Sequence, residues 1–91
     1  KPLNRPVLDY FKCFYGDTAT FTTASIDCAV DFLGVDHVIF GSDAPFDKDG
    51  GTWSVNECTE AINKAKLTPA ERSQIYYKNF EKIFRLPAVA K

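Results

Sequence analysis

The chain has 91 residues with 11 basic and 12 acidic side chains, so its formal net charge is −1. This balance lacks the basic surface that binding to nucleic acid or to an anionic membrane requires. No apolar run reaches the roughly 18–20 residues that span a bilayer, and the length of 91 residues allows one domain at most.

The first predicted elements are a strand and a helix. The strand covers about residues 10–16, whose sequence YFKCFYG is rich in the aromatic residues that favour strands. After a loop of small and hydroxyl side chains, a helix is expected over about residues 24–33, with Thr23 or Ser25 as its cap. Gly34 directly follows this helix and can end it in a left-handed conformation.

The second predicted strand covers about residues 37–42 and leads directly to an acidic side chain, Asp43. Pro45 prevents the strand from continuing as a central strand. Enzymes with parallel sheets present catalytic groups at the carboxyl ends of their strands. Because apolar residues flank the acid on both sides in the sequence VIFGSDAPF, Asp43 is the candidate functional residue.

Two more helices are expected, over about residues 55–66 and 69–85. Capping-box patterns at Ser54 and Thr68 mark their starts. The polar segment 47–52 before them lacks the spacing of a calcium loop and is interpreted as a solvated turn. The residues predicted for the inner side of the last helix are Ile75, Tyr76, Phe80, Ile83 and Phe84.

Three cysteines, Cys13, Cys28 and Cys58, are widely spaced and form no C-x-x-C pair. An odd number without metal-ligand spacing argues against a disulfide framework and against a closed zinc site. We therefore predict free thiols, with Cys13 and Cys28 at packing positions, in a reducing and hence cytoplasmic compartment.

The order strand, helix, strand, helix, helix predicts an α/β fold with two parallel strands joined by a crossover helix. Parallel sheets normally contain more than two strands, and both of their faces are covered. The pattern therefore indicates the end of a larger α/β fold.

Three segments together resemble the carboxyl-terminal end of the amidohydrolase superfamily: YGDTATF, GVDHVIFGSDAPFD and LTPAERSQIYYKNFEKIFRL. They are most similar to the branch that includes aminocarboxymuconate-semialdehyde decarboxylase and the resorcylate decarboxylases, which are (β/α)8 barrels with a divalent metal. The resemblance implies that residues 1–91 are a single segment: the last two βα units and the closing helix of a TIM barrel, incomplete as an isolated chain.

By this resemblance Asp43 matches the metal-binding aspartate of the family, which also transfers protons. The histidine ligands of the family lie on earlier strands, so the remaining ligands are expected outside this chain, around zinc or alternatively manganese. The one histidine, His37, starts the second strand and lies roughly 20 Å from Asp43, so it is predicted to be non-catalytic. Asn79 matches an asparagine of the closing helix and is expected to tether the loop after the second strand.

Three further residues are candidates for lining a substrate pocket. Asp17 ends the first strand and emerges on the same rim as Asp43, although an Asx turn is the alternative. Phe21 and Phe46 lie in loops on that rim, where they form either an apolar wall for a planar substrate or ordinary packing. Trp53 is interpreted as packing at a helix start or contacting another subunit.

The resemblance implies a parent enzyme that is a metal-dependent decarboxylase or hydrolase. Its substrate would be a small aromatic or muconate-like carboxylic acid, the rest of the barrel or another copy of the chain would supply the missing strands, and the isolated chain would be inactive. A homo-oligomer is expected. The alternative is a non-catalytic α/β module that self-associates or binds a protein partner through exposed sheet edges. A flavodoxin-like nucleotide binder is disfavoured because neither strand ends in a glycine-rich phosphate loop.

Overall fold

The computed structural model describes residues 3–87. In chain order the elements are α1 (Val7–Phe11), β1 (Gly16–Asp17), α2 (Thr23–Leu33), a 3-10 turn (Val35–His37), β2 (Val38–Ile39), α3 (Thr52–Lys64), α4 (Pro69–Ser73), a π-helical stretch (Gln74–Lys78) and α5 (Asn79–Phe84). In this part of the chain, none of the helices is long and apolar enough to cross a membrane.

The prediction of a strand over residues 10–16 is wrong for most of its length. After Pro6 the chain forms helix α1. The Pro6 carbonyl accepts a hydrogen bond from the Asp9 N–H at 3.0 Å. Asp9 lies in the first turn, where the helix dipole favours an acid. Strand structure begins only at Gly16. Aromatic content alone did not distinguish a strand from this short, half-exposed helix.

The two strands are parallel, as predicted, and α2 connects them. Gly16 pairs with Val38 and Asp17 pairs with Ile39. The second strand is much shorter than the predicted 37–42, and its first predicted residue lies in the 3-10 turn.

The second strand is short because the residues that follow it donate their hydrogen bonds to groups outside the sheet. The Phe40 N–H donates to the carbonyl of Ile75 in the π-helical stretch at 2.9 Å. The Gly41 N–H donates to the hydroxyl of Thr18 at 3.0 Å. Beyond Ile39 the chain therefore forms no further ladder with β1.

Helix α2 has the predicted extent but a different cap. Thr22 is the N-cap, and its hydroxyl accepts from the Ser25 N–H at 3.2 Å, so neither Thr23 nor Ser25 is the capping residue. At the other end Gly34 follows the helix as predicted, but its φ of 90° and ψ of 147° lie outside the predicted left-handed helical conformation. A positive φ still favours glycine.

The predicted capping boxes have different outcomes. The box at Thr68 is confirmed: its hydroxyl accepts from the Glu71 N–H, and the Glu71 carboxylate accepts from the Thr68 N–H. The box at Ser54 is wrong, because α3 starts at Thr52 with Gly51 as N-cap and Ser54 is buried in its first turn.

The core lies between α2, β2, α3 and the π-helical stretch. Its buried members are Ile26, Val38, Ala61, Ile62, Ala65 and Ile75. Cys58 is also buried, whereas Cys13 and Cys28 are exposed rather than packed, and all three are free thiols.

Two residues that were predicted on the inner face of the last helix are exposed instead. Phe80 is 45% exposed and Phe84 is 58% exposed, and their rings contact each other with centroids 4.5 Å apart. The π-helical stretch Gln74–Lys78 precedes them. A wider turn with i→i+5 bonding shifts every later residue around the helix axis relative to α-helical spacing. Asn79 occupies the buried position instead.

Asn79 is a tether, but not to the predicted loop after the second strand. Its side-chain amide donates to the carbonyl of Val35 at 2.7 Å and to that of Val38 at 2.8 Å. Asn79 therefore joins the last helix to the start of β2 and to the turn before it.

Candidate functional site

The ends of the two parallel strands form one rim, which we define as residues 17–21 and 41–47. Thr18 connects its two halves. The Thr18 hydroxyl donates to the Gly41 carbonyl at 2.8 Å and accepts from the Gly41 N–H at 3.0 Å, and its side chain is fully buried. Thr18 was not among the residues predicted from the sequence, although its hydroxyl directly follows a strand.

Asp43 lies on this rim, three residues after the position at which Phe40 bonds to the π-helical stretch. It has a φ of 62°, which is uncommon for residues other than glycine, although aspartate tolerates it better than most. Its residue is exposed, and no described residue donates a hydrogen bond to its carboxylate. The side chain is therefore available to a ligand.

Asp47 organises the segment after Asp43, which is a turn as predicted, with residues 48–50 exposed and Gly51 buried. Its Oδ1 accepts from the N–H groups of Asp49 at 2.7 Å and Gly51 at 3.0 Å. Its Oδ2 accepts from the N–H of Ser54 at 2.9 Å and from the Ser54 hydroxyl. The Ser54 hydroxyl and these N–H groups lower the pKa of Asp47 to about 2. The ionised carboxylate therefore caps α3, where the helix dipole favours it.

The loop that carries Asp43 packs directly against the start of α3. A Cβ placed on Gly51 would lie 2.9 Å from the Cβ of Ala44 and 3.3 Å from the Cα of Pro45. Gly51 also has a φ of 107°, so both its conformation and its contacts require glycine. The N-terminus of α3 therefore packs against the part of the rim that carries Asp43.

Asp17 belongs to the first segment of the rim and lies beside its second segment, residues 41–47. Its Oδ1 accepts from the Ala19 N–H at 3.0 Å, which is the Asx turn that sequence analysis gave as the alternative. A Cβ placed on Gly41 would lie 3.0 Å from the Asp17 Cβ and 3.3 Å from its Oδ2. Asp17 therefore shares the rim with the Asp43 loop, and its role as a substrate-lining residue stays a prediction.

The aromatic candidates differ in their surroundings. The Phe21 ring is half-buried and packs on Trp53, with centroids 5.3 Å apart. Phe46 is 82% exposed. The structure thus joins Phe21 to Trp53, a pair that sequence analysis did not connect, while Phe46 projects from the rim.

The described residues do not provide a complete metal site. Between residues 3 and 87, no three His, Cys, Asp or Glu side chains converge in a way that holds an ion. His37 lies before β2, where its ring stacks on Tyr15 at 4.2 Å and its Nδ1 lies 3.0 Å from the Phe14 carbonyl oxygen. The exposed carboxylate of Asp43 fits one oxygen ligand for a hard divalent cation.

A groove lies away from the rim, between α1 and α2, with a volume of about 650 Å³. Its lining is mostly apolar and includes Phe11, Phe14, Tyr15, Phe32 and Leu33. The groove is therefore an apolar surface of the fold, separate from Asp43.

Comparison with known proteins shows relatives across nearly the whole chain. The family profile described as Amidohydrolase matches residues 9–86. The chain is 26% identical over 87 residues to the gamma-resorcylate decarboxylase of Polaromonas sp. strain JS666, and the match covers 93% of this chain and 25% of that protein.

Solved structures give the same relationship. Metarhizium anisopliae IDCase in its apo form is 30% identical with a TM-score of 0.78, covering 90% of this chain and 24% of that one. The dihydroxybenzoic acid decarboxylase of Polaromonas sp. JS666, solved with bound manganese and the inhibitor 2-nitroresorcinol, is 26% identical with a TM-score of 0.77, covering 97% and 25%. The chain thus spans about a quarter of the length of the relatives it matches.

Proposed function

This chain belongs to the amidohydrolase family, and we propose on that basis that it forms the carboxyl-terminal part of a metal-dependent decarboxylase. The three sequence segments indicated this family, and the profile match confirms it. The substrate class proposed is a small aromatic carboxylic acid, because the relatives include decarboxylases of resorcylate and dihydroxybenzoic acid. Hydrolysis of a related small molecule is the alternative reaction.

The fold proposed for the complete protein is a (β/α)8 barrel, with residues 1–91 as one segment. In it, β1 and β2 are the last two strands, and the helix from Pro69 to Phe84 closes the barrel. The parallel pairing, the crossover through α2 and the similarity to a quarter of each relative support this placement. Active sites of such barrels lie at the carboxyl ends of the strands, which is the end where the rim lies.

The observation that carries the proposal is the exposed carboxylate of Asp43 just beyond β2, to which no described residue donates a hydrogen bond. We assign it as one metal ligand and as a proton-transfer group. Manganese is favoured because a relative binds it, and zinc is the alternative. The metal would supply positive charge that holds the oxygens of an aromatic acid.

The residues of this chain then have separate tasks at the rim. To protonate the ring carbon that loses carbon dioxide, Asp43 must first accept a proton from solvent, and its carboxyl group must be fixed beside that carbon; the transfer returns it to the carboxylate. Phe21 with Trp53, and Phe46 at the exposed tip, offer apolar surface to a planar ring. Asp17 is close enough to the Asp43 loop to line the same pocket.

The test is the substitution Asp43→Asn in the complete protein, with Asp49→Asn as the matched control. Asp49 lies in the same exposed loop, and only its backbone N–H takes part in the Asp47 cap. Turnover of dihydroxybenzoates should fall roughly 100-fold or more in the Asp43 variant, with an unchanged circular dichroism spectrum. Near-normal turnover by Asp43→Asn would refute the assignment.

A second candidate function is favoured by the apolar surface around α1. Exposed apolar side chains cluster there: Leu3, Val7, Leu8, Phe11, Phe14 and Phe32. Such a surface is typical of an interface, and in the main proposal the rest of the barrel covers it. The alternative is a non-catalytic module that self-associates or binds a protein. Light scattering combined with manganese titration decides: a compact monomer that binds no metal favours the module.

The proposal also includes the assembly and location that the sequence predicts. We expect a homo-oligomer in the cytoplasm. Its free thiols, two of them exposed, are compatible with a reducing compartment.

A further inference from the structure

We propose that Asp47 is a positioning residue for Asp43: its carboxylate fixes the loop of residues 43–46 against the N-terminus of α3. This inference rests on the proposed function of Asp43 as a metal ligand. It adds a second acidic residue, four positions later, that acts through the first without touching metal or substrate.

The first observation is that the Asp47 carboxylate is already fully used inside the protein. It accepts four hydrogen bonds: three from the backbone N–H groups of Asp49, Gly51 and Ser54, and one from the Ser54 hydroxyl. A carboxylate with four donors is not available as a ligand. Its position is therefore set by α3 and by the turn that precedes that helix.

The second observation is that short contacts connect Asp47 to Asp43. The Asp47 N–H donates to the Pro45 carbonyl at 2.9 Å, and the Phe46 N–H donates to the Asp43 carbonyl at 3.0 Å. Gly51, which Asp47 holds at the helix start, lies against Ala44. Residues 43–46 are thus held by the hydrogen bonds of the turn and by the contact of Ala44 with the start of α3.

The third observation concerns what holds Asp43 itself. No described residue donates a hydrogen bond to its carboxylate, and its backbone has a positive φ of 62°. This conformation is uncommon even for aspartate, which tolerates it better than most residues, so contacts from the surroundings are needed to hold it. On the α3 side of Asp43, the bonds just described are the surroundings that do so. Loss of the Asp47 carboxylate should therefore displace Asp43 while the core remains packed.

The experiment is a double-substitution cycle in the complete protein, with the affinity for Mn²⁺ alone measured by calorimetry. The variants are Asp43→Asn, Asp47→Asn, the pair together, and Asp49→Asn as the control. Substituting a residue that orients a ligand typically lowers metal affinity about 10-fold to 100-fold, so Asp47→Asn should weaken Mn²⁺ binding about 10-fold. In the Asp43→Asn background the same change should have no further effect, since coupled residues are non-additive.

Each outcome separates this inference from the proposed function. If Asp43→Asn leaves the Mn²⁺ affinity unchanged, Asp43 is not a metal ligand and the proposed function is wrong. If Asp43→Asn weakens binding but Asp47→Asn behaves like Asp49→Asn, only the positioning role is wrong. An equal effect of Asp47→Asn in both backgrounds also overturns the positioning role, because it shows action independent of Asp43. If Asp47→Asn does not fold, Ser54→Ala replaces it in the same cycle with the same criteria, since it removes one of the four hydrogen bonds.

Discussion

Thr18 provides the sharpest test of how the rim is held together. The substitution Thr18→Val keeps the branched shape of the side chain and removes the hydroxyl. Gly41 then loses both the donor to its carbonyl and the acceptor of its N–H, which lie 2.8 Å and 3.0 Å from the hydroxyl oxygen. Among the described residues, no other group bonds to either atom, so nothing nearby replaces Thr18.

The magnitude follows from these two groups. A buried backbone group left without a partner costs about 1–3 kcal/mol. Gly41 is half-buried, so we take the lower part of that range for each group. Thr18→Val should therefore lower the free energy of unfolding by about 2–3 kcal/mol. Thr18→Ser keeps the hydroxyl and loses one methyl group, which costs about 1 kcal/mol.

The assay is urea unfolding followed by far-ultraviolet circular dichroism, with Thr20→Val as the control. Thr20 is two residues away and exposed, so its substitution should change stability by no more than about 0.5 kcal/mol. The expected order of stability is the unsubstituted protein, then Thr18→Ser, then Thr18→Val. A Thr18→Val protein as stable as Thr18→Ser would refute the reasoning, because the hydroxyl would then contribute nothing.

Three further predictions use matched variants. Asn79→Ala leaves two backbone carbonyls without their donor and should cost about 2–4 kcal/mol in the same urea assay, whereas the exposed Asn56→Ala should be nearly neutral. Gly51→Ala meets both a φ of 107° and a contact at 2.9 Å, so it should cost more than Gly50→Ala, whose Cβ enters open space; equal losses would contradict the contact. The pKa of Asp47 is lowered to about 2 from 3.8, so the unfolded chain binds the proton more tightly. Its stabilisation is present above about pH 4 and lost as the pH falls towards 2, and Asp47→Asn should remove that part of the acid-induced loss measured by thermal unfolding.

Local patterns in the sequence predicted the elements whose signals lie within one helical turn. The Thr68 capping box, the extent of α2 and its end at Gly34 are examples, and all were confirmed. Each depends on residues that are neighbours in the chain, so spacing alone reveals them. The Ser54 pattern failed although its spacing was correct, because Gly51 is the N-cap and a carboxylate from outside the helix, Asp47, accepts from the Ser54 N–H.

Side-chain placement on the last helix shows a different limit. Helical spacing assumes a uniform 3.6 residues per turn, which predicts Phe80 and Phe84 on the inner face. The π-helical stretch before them alters that spacing, and Asn79 is buried in their place. No residue type in the sequence marks such a stretch, so this face was decided by packing against β2 and the turn before it.

The sequence by itself determined the family, the parallel order of strands around a crossover helix, and the acid that follows the second strand. These features could be predicted because they depend on short sequence segments and on the order of those segments along the chain. Only the tertiary structure decided what holds that acid in place. The four hydrogen bonds of the Asp47 carboxylate fix the loop of Asp43 against α3, and the rim and the last helix are joined through distant pairs such as Thr18 with Gly41 and Asn79 with Val38. A hydrogen bond between residues so far apart in the chain leaves no local sequence pattern.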